Sequence, residues 1–217
     1  MNGKDKIKRL TILGLMTAIL IIMAYTPLGY LPVGFLPNPI TLNMIPIAIA
    51  SLAMGPLGGA ITGGVFGLTS FLQCFGINAL GTSLFAINPV FTVIVCFVPR
   101  ILDGLITGLF ADLLASRSAP ALVRCTVTGL SAAVFNTLLF MVSLLLLFGN
   151  TEYLMGIWEQ LAPGKNVLIF ACAFVGINAI AEIVCSTLIT CIVGVALSKA
   201  KLLPPHSSKR LQAESAA

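Results

Sequence analysis

Six apolar runs, at about 10–26, 42–54, 57–73, 92–115, 121–148 and 167–197, restrict this sequence more than any other feature. A helix needs roughly 20 apolar residues to cross a bilayer. The second run is short and contains Pro46, so it also fits a tilted or re-entrant segment. Only 9% of the residues are charged and 58% are hydrophobic, whereas soluble domains carry about 25% charged residues. A soluble globular fold is therefore excluded. The expected fold is an all-α integral membrane protein with six transmembrane helices.

The basic residues predict which ends face the cytoplasm. Lys4, Lys6, Lys8 and Arg9 precede the first run. Arg117 and Arg124 fall between the fourth and fifth, and Lys199, Lys201, Lys209 and Arg210 follow the sixth. Six spans place all three groups on one side. Lys165 is then outside and Arg100 lies within a span, so ten of the twelve basic residues are inside. Both termini are expected to be cytoplasmic. The chain divides into a basic tail at 1–9, a membrane domain at 10–198 and a C-terminal tail at 199–217. The net charge of +5 thus concerns membrane orientation, and no nucleic-acid partner is expected. The N-terminus has the basic and apolar parts of a signal peptide without a convincing cleavage site, so it reads as a retained first helix. Residues 27–42 and 74–91 are uncharged and rich in Pro, Gly, Asn and aromatics. They read as outer loops folded over the mouth of the bundle.

Arg100 is the sharpest chemical signal. It sits in the apolar stretch FVPRILDG, with Asp103 one turn further on. A span beginning near residue 92 places it about 12 Å deep, at 1.5 Å per residue. A charge at that depth costs several kcal/mol unless it is paired or hydrated. It either pairs with Asp103 or Glu182 inside the protein, or it faces a cavity and holds a ligand carboxylate, whose geometry its fork of donors matches. The two roles are compatible. Asn136 lies in the fifth run, and Asn178 and Glu182 share a helix face in the sixth. Asn38, Thr41 and Asn43 enter the second run, Thr69, Ser70 and Gln73 end the third, and Thr82, Ser83 and Asn88 sit in the second outer loop. Singly, such groups serve as interhelical hydrogen bonds. Together they suit a polar solute.

Small residues provide a second pattern. Gly59, Gly63 and Gly67 share one face of the third run, and Gly14 and Ala18 are spaced i, i+4 in the first. Such stripes let helix backbones approach closely. The six cysteines form no CxxC pair and the one histidine, His206, lies in the polar tail. No metal site or cofactor is expected. No GxxxxGK[ST], HExxH or GxSxG motif occurs, and no catalytic constellation is visible.

The runs TLNMIPIAIASLAMGPLGGAITGGVFGLTSF (41–71), TSLFAINPVF (82–91) and FVPRILDGL (97–105) resemble the substrate-binding S components of energy-coupling factor (ECF) transporters, which are bacterial vitamin importers. The likeness spans roughly 10–198 and is nearest to the pantothenate-specific members. It implies capture of a vitamin from outside, under the loops between spans one and two and between three and four. It also implies a membrane-embedded coupling subunit and two cytosolic ATPase subunits as partners, and toppling of the S component to deliver its load. Span one of the family carries small residues, usually AxxxA, at that contact. Gly14 and Ala18 match these positions, with Gly in place of the first Ala. In this reading Arg100 holds the vitamin carboxylate. Asn38, Asn43, Thr82, Ser83, Asn88, Asn136, Asn178 and Glu182 supply polar contacts, and Phe35, Phe85 and Phe91 cover the apolar part.

Alternatives follow from the same residues. Another vitamin, such as folate, riboflavin or niacin, would keep the architecture. Riboflavin calls for more stacking aromatics than Trp158 and three tyrosines offer, and folate for more than one buried cation. A small membrane enzyme acting on a lipid-linked substrate would need Asp103, Asp112 and Glu182 to converge. An open channel or facilitator would need a polar stripe through the inner half.

Overall fold

The computed structural model describes residues 3–31, 40–164 and 166–203. The chain forms eight helices and one short β-ribbon among these residues. In order they are α1 (Gly3–Ala24), β1 (Tyr30–Leu31), β2 (Ile40–Thr41), α2 (Met44–Met54), α3 (Pro56–Gln73), α4 (Ala79–Ile87), α5 (Pro89–Ser116), α6 (Ala121–Phe148), α7 (Glu152–Leu161) and α8 (Val167–Lys199). Four segments are long and apolar enough to cross a membrane: Ile7–Ala24, Pro89–Ser116, Ala121–Phe148 and Asn178–Lys199. The chain is thus an all-helical membrane protein in its main architecture. A membrane-crossing role for α2 and α3 rests on the sequence pattern and belongs to the proposal below.

The short second run has a structural explanation. Every residue of α2 from Met44 to Ala53 is buried. A helix that is apolar all round belongs inside a bundle, and α2 lies against α1, α3, α5, α6 and α8. Its 11 residues extend only about 16 Å, roughly half the hydrocarbon thickness. Gly55 ends it with φ +67°, a conformation that costs Gly nothing, and Pro56 opens α3 at once. Pro fits there because the first helical position needs no amide.

Glycines set the packing of α3 on α5. A Cβ at Gly59 would strike the Gly104 carbonyl, and one at Gly63 would strike the Arg100 carbonyl. At Gly67 it would sit 2.9 Å from the Cys96 carbonyl. The traffic is mutual, since a Cβ at Gly104 would meet the Gly59 carbonyl and one at Gly108 would meet Pro56. The two backbones are in direct contact along about three turns, as the small-residue stripe predicts. On the other side, α6 reaches α8 at Gly129, where a Cβ would lie 2.9 Å from the side chain of Thr190. The buried face of α8 repeats every four residues: Phe170, Phe174, Asn178, Glu182, Ser186 and Thr190.

Three features differ from the sequence reading. Residues 74–91 are not a continuous loop, because Asn78 accepts from the Gly81 amide at 2.9 Å and starts α4. Residues 152–161 form α7, whose Trp158 stacks on Phe170 with centroids 4.9 Å apart. Arg124 is not a loop charge. It is 4% exposed in the first turn of α6 and donates from Nη2 to the Leu52 carbonyl at 2.7 Å.

The glycine contacts make a paired prediction. Gly63→Ala should lower stability by about 1–3 kcal/mol through overpacking. Gly64→Ala, whose Cβ would meet only Ile101 at 3.8 Å, should be neutral or stabilising through helix propensity. Thermal unfolding of the two variants in detergent checks the difference.

Candidate functional site

A cavity of about 150 Å³ opens between α3, α4, α5, α6 and α8. Arg100 reaches it from α5, Asn136, Thr137 and Phe140 from α6, and Asn178, Ala179 and Glu182 from α8. Tyr30 and Thr41 come from the β-ribbon, while Ser70 and Gln73 come from the end of α3. The apolar wall is Phe66, Leu84, Val95 and Phe174. α5 begins at Pro89, so Arg100 lies about 16 Å along the helix, at 1.5 Å per residue.

The Arg100 guanidinium makes no internal ion pair among the described residues. Its Nη1 donates to the Val95 carbonyl at 2.7 Å. Its planar group lies against two rings, with Cζ 4.7 Å from the Phe140 centroid and 5.5 Å from that of Phe66. Such cation–π contacts stabilise a desolvated guanidinium. Its Nε is buried without a hydrogen-bond partner. Neither Glu182 nor Asp103 forms a direct ion pair with it. Glu182 accepts from the Thr41 amide at 2.7 Å. Asp103 accepts from the Thr107 hydroxyl at 3.3 Å and does not line the cavity. The Arg100 guanidinium thus borders the cavity without a direct ion pair, with the amide of Asn136, whose Oδ1 is buried and unpartnered, beside the same space.

Glu182 has a second consequence. Its bond to Thr41 ties α8 to β2, and β2 pairs with β1 through Tyr30↔Thr41 and Leu31↔Ile40. Tyr30 lines the cavity together with Ser70. At the end of α3, Gln73 donates to the Ala24 carbonyl at 2.6 Å and so binds the end of α1 to the same region. These bonds join β2 to α8 and the end of α3 to the end of α1 beside the cavity.

The structure brings together Arg100, Asn136, Asn178 and Glu182, four of the residues singled out in the sequence. Asn43 is fully buried but stands behind Tyr30 rather than on the cavity wall. Thr82, Ser83, Asn88 and Phe91 do not line it. The Thr82 hydroxyl donates to Asn78 O at 2.8 Å and that of Ser83 to Ala79 O at 3.0 Å, so both serve the backbone of α4. Asn88 caps α5 by accepting from the Phe91 amide at 3.1 Å. Phe91 is 37% exposed and meets Phe148 edge-on. Phe85 joins Phe71 and Phe75 in a ring cluster that seats α4. Instead of hydroxyls, α4 presents Leu80, Gly81 and Leu84 to the cavity. Asn38 and Phe35 lie outside the described residues. Gly14 and Ala18 are both exposed on α1, and a Cβ at Gly14 would meet nothing within 4 Å.

Sequence reasoning missed Phe66 and Phe140, the two rings beside the guanidinium. Among so many apolar residues neither carries a local signal. Thr41, Ser70 and Gln73 were visible as polar breaks at the ends of their runs.

Residues 8–194 match the model of the family described as ECF transporter, substrate-specific component. No curated protein sequence matches the chain significantly. Among solved structures, the S-component for biotin from an ECF-type ABC transporter is similar, with a TM-score of 0.54 and 20% identity. The match covers 89% of this chain and 94% of that one. At this identity the likeness concerns the fold. Family and fold are those of transporter substrate-binding components rather than of enzymes.

The Glu182–Thr41 contact is testable alone. Glu182→Ala leaves the Thr41 amide without its charged acceptor and should cost about 1–3 kcal/mol. Amide hydrogen exchange at Thr41 should accelerate in the variant.

Proposed function

Because the chain belongs to the family of ECF transporter substrate-specific components, we propose that it is the substrate-capture subunit of an ATP-driven vitamin importer, with pantothenate as its vitamin. The observation that carries this reading is Arg100, without a direct ion pair among the described residues, beside a cavity furnished with amides and hydroxyls. Pantothenate is an anion with a carboxylate, an amide and two hydroxyls. Arg100 takes the carboxylate, as a guanidinium fork suits. Asn136, Asn178, Thr41 and Ser70 address the amide and hydroxyls, and Phe140, Phe174 and Leu84 cover the apolar part. Glu182 contributes by holding the ribbon rather than by meeting the anion. Biotin, the ligand named for the similar structure, also carries a carboxylate, so the cation alone does not separate the two vitamins. The pair of hydroxyls favours pantothenate in a cavity this rich in donors and acceptors.

The remaining parts of the proposal follow from the family and the charge pattern. The chain lies in the bacterial plasma membrane with α2 and α3 completing six membrane helices. The tails at 1–9 and 199–217 are cytoplasmic. The motor is in other chains, a membrane-embedded coupling subunit and two ATPase subunits. The open Gly14–Ala18 face of α1 is the surface offered to the coupling subunit, where small residues permit close helix contact.

Titration of the purified chain with pantothenate, biotin, riboflavin, folate, thiamine and niacin should give tight one-to-one binding of pantothenate. Arg100→Ala should weaken it by at least about 100-fold, the equivalent of a buried charge-assisted contact. Unchanged binding of every anionic vitamin by that variant would sink the anchor, and no binding at all would sink the capture role. Gly14→Leu should leave vitamin binding intact and abolish uptake by the assembled transporter, as measured in proteoliposomes.

A further inference from the structure

Pro99 is buried within α5, immediately before Arg100. Proline has no N–H, so the carbonyl four residues earlier loses its helical donor. In α5 that carbonyl belongs to Val95. A buried backbone acceptor left bare is costly, and here it is not bare. Nη1 of Arg100 donates to Val95 O at 2.7 Å, in the place of the missing amide.

The substitution of one donor for the other has a directional effect. The Arg100 side chain folds back toward the N-terminal end of α5, alongside the residues of the preceding turn. Val95, Cys96 and Thr92, on that stretch of the helix, border the cavity. One corner of the guanidinium is fixed to the carbonyl, and Phe140 and Phe66 hold its plane. Its Nε stays buried and unpartnered. A long side chain with several rotatable bonds is thereby confined before any ligand arrives, which lowers the ordering cost of binding.

We propose that Pro99 is a positioning residue for ligand binding: by withholding its amide from Val95 it creates the backbone anchor that holds the Arg100 fork at the cavity. This inference rests on Arg100 being the ligand's anchor, as set out above. An alanine at 99 would return the helical amide to Val95 O. Arg100 would then have to share an acceptor that it now holds without helical competition.

The consequence is a variant that gains stability and loses affinity. Wild type, Pro99→Ala, Arg100→Ala and the double variant are purified in detergent. Each is titrated with pantothenate by calorimetry and melted without ligand. Pro99→Ala should melt higher than wild type and bind pantothenate about tenfold more weakly, the equivalent of one hydrogen bond. Arg100→Ala strips Val95 O of its donor, so it should melt lower. Adding Pro99→Ala to it should recover the melting temperature and leave the residual affinity unchanged. This non-additivity separates positioning from general damage to the helix. Pro99→Gly restores the same amide without a side chain and should also weaken binding, so a clash of the alanine methyl is told apart. Wild-type affinity in Pro99→Ala, with binding lost in Arg100→Ala, would overturn the positioning role and leave the anchor standing. Absence of pantothenate binding to wild type, or full binding by Arg100→Ala, would overturn the functional reading and this inference with it.

Discussion

The contact between the backbones of α3 and α5 governs the rest of the structure. Gly59, Gly63 and Gly67 press on the carbonyls of Gly104, Arg100 and Cys96. No side chain intervenes, so neither helix can rotate or slide without a collision. That fixes which face of α5 looks inward, and Thr92, Cys96, Pro99, Asp103 and Thr107 are all buried along it. In a bilayer, where apolar surface gains little from leaving lipid, close packing of this kind is a main source of helix association. The position of the Arg100 guanidinium at the cavity follows from glycines on a different helix.

Charge within the bundle is arranged so that opposite signs stay apart. Three ionisable groups, Arg100, Asp103 and Glu182, lie in one region. An internal pair would be the cheapest arrangement, because desolvated charges need partners. The bonds observed are different: Glu182 accepts from the Thr41 amide and Asp103 from the Thr107 hydroxyl. What remains is a cavity lined by the Arg100 guanidinium, the Glu182 carboxylate and the amides of Asn136 and Asn178. The same Glu182 contact fastens the ribbon, so the carboxylate that does not neutralise the cation keeps its surroundings in shape.

Much of this was legible in the sequence, for reasons that are physical. Apolar runs marked the long helices, since lipid tolerates little else. The glycine stripe in α3 marked a close contact, and the i, i+4 spacing of Asn178 and Glu182 marked one face of α8. Arg100, Asn136, Asn178 and Glu182, inside the long helices, meet at the cavity. Residues at the helix ends were harder to read. Thr82, Ser83 and Asn88 carry the same functional groups, but the ends of α4 and α5 left backbone atoms that needed partners. Those side chains serve the backbone first. Asn78 and Asn88-Pro89 were in fact cap signatures, which a reading centred on spans took for loop. Arg124 was assigned to a loop on its charge, although it stands in a helical turn and satisfies the end of α2.

The stacking of Trp158 on Phe170 has an optical consequence. Trp158 is the chain's one tryptophan. Its ring lies within 7° of parallel to that of Phe170, and Phe170 packs on Phe174 with centroids 5.6 Å apart. Phe174 is part of the cavity wall. The indole that dominates the protein's ultraviolet emission is therefore two rings from the space where a solute would sit. It belongs to the short helix α7, which packs on the bundle through Leu154, Ile157 and Trp158. Any shift of the wall on filling would pass to the fluorophore directly, so the occupancy of the cavity is written into the intrinsic fluorescence of the unlabelled chain.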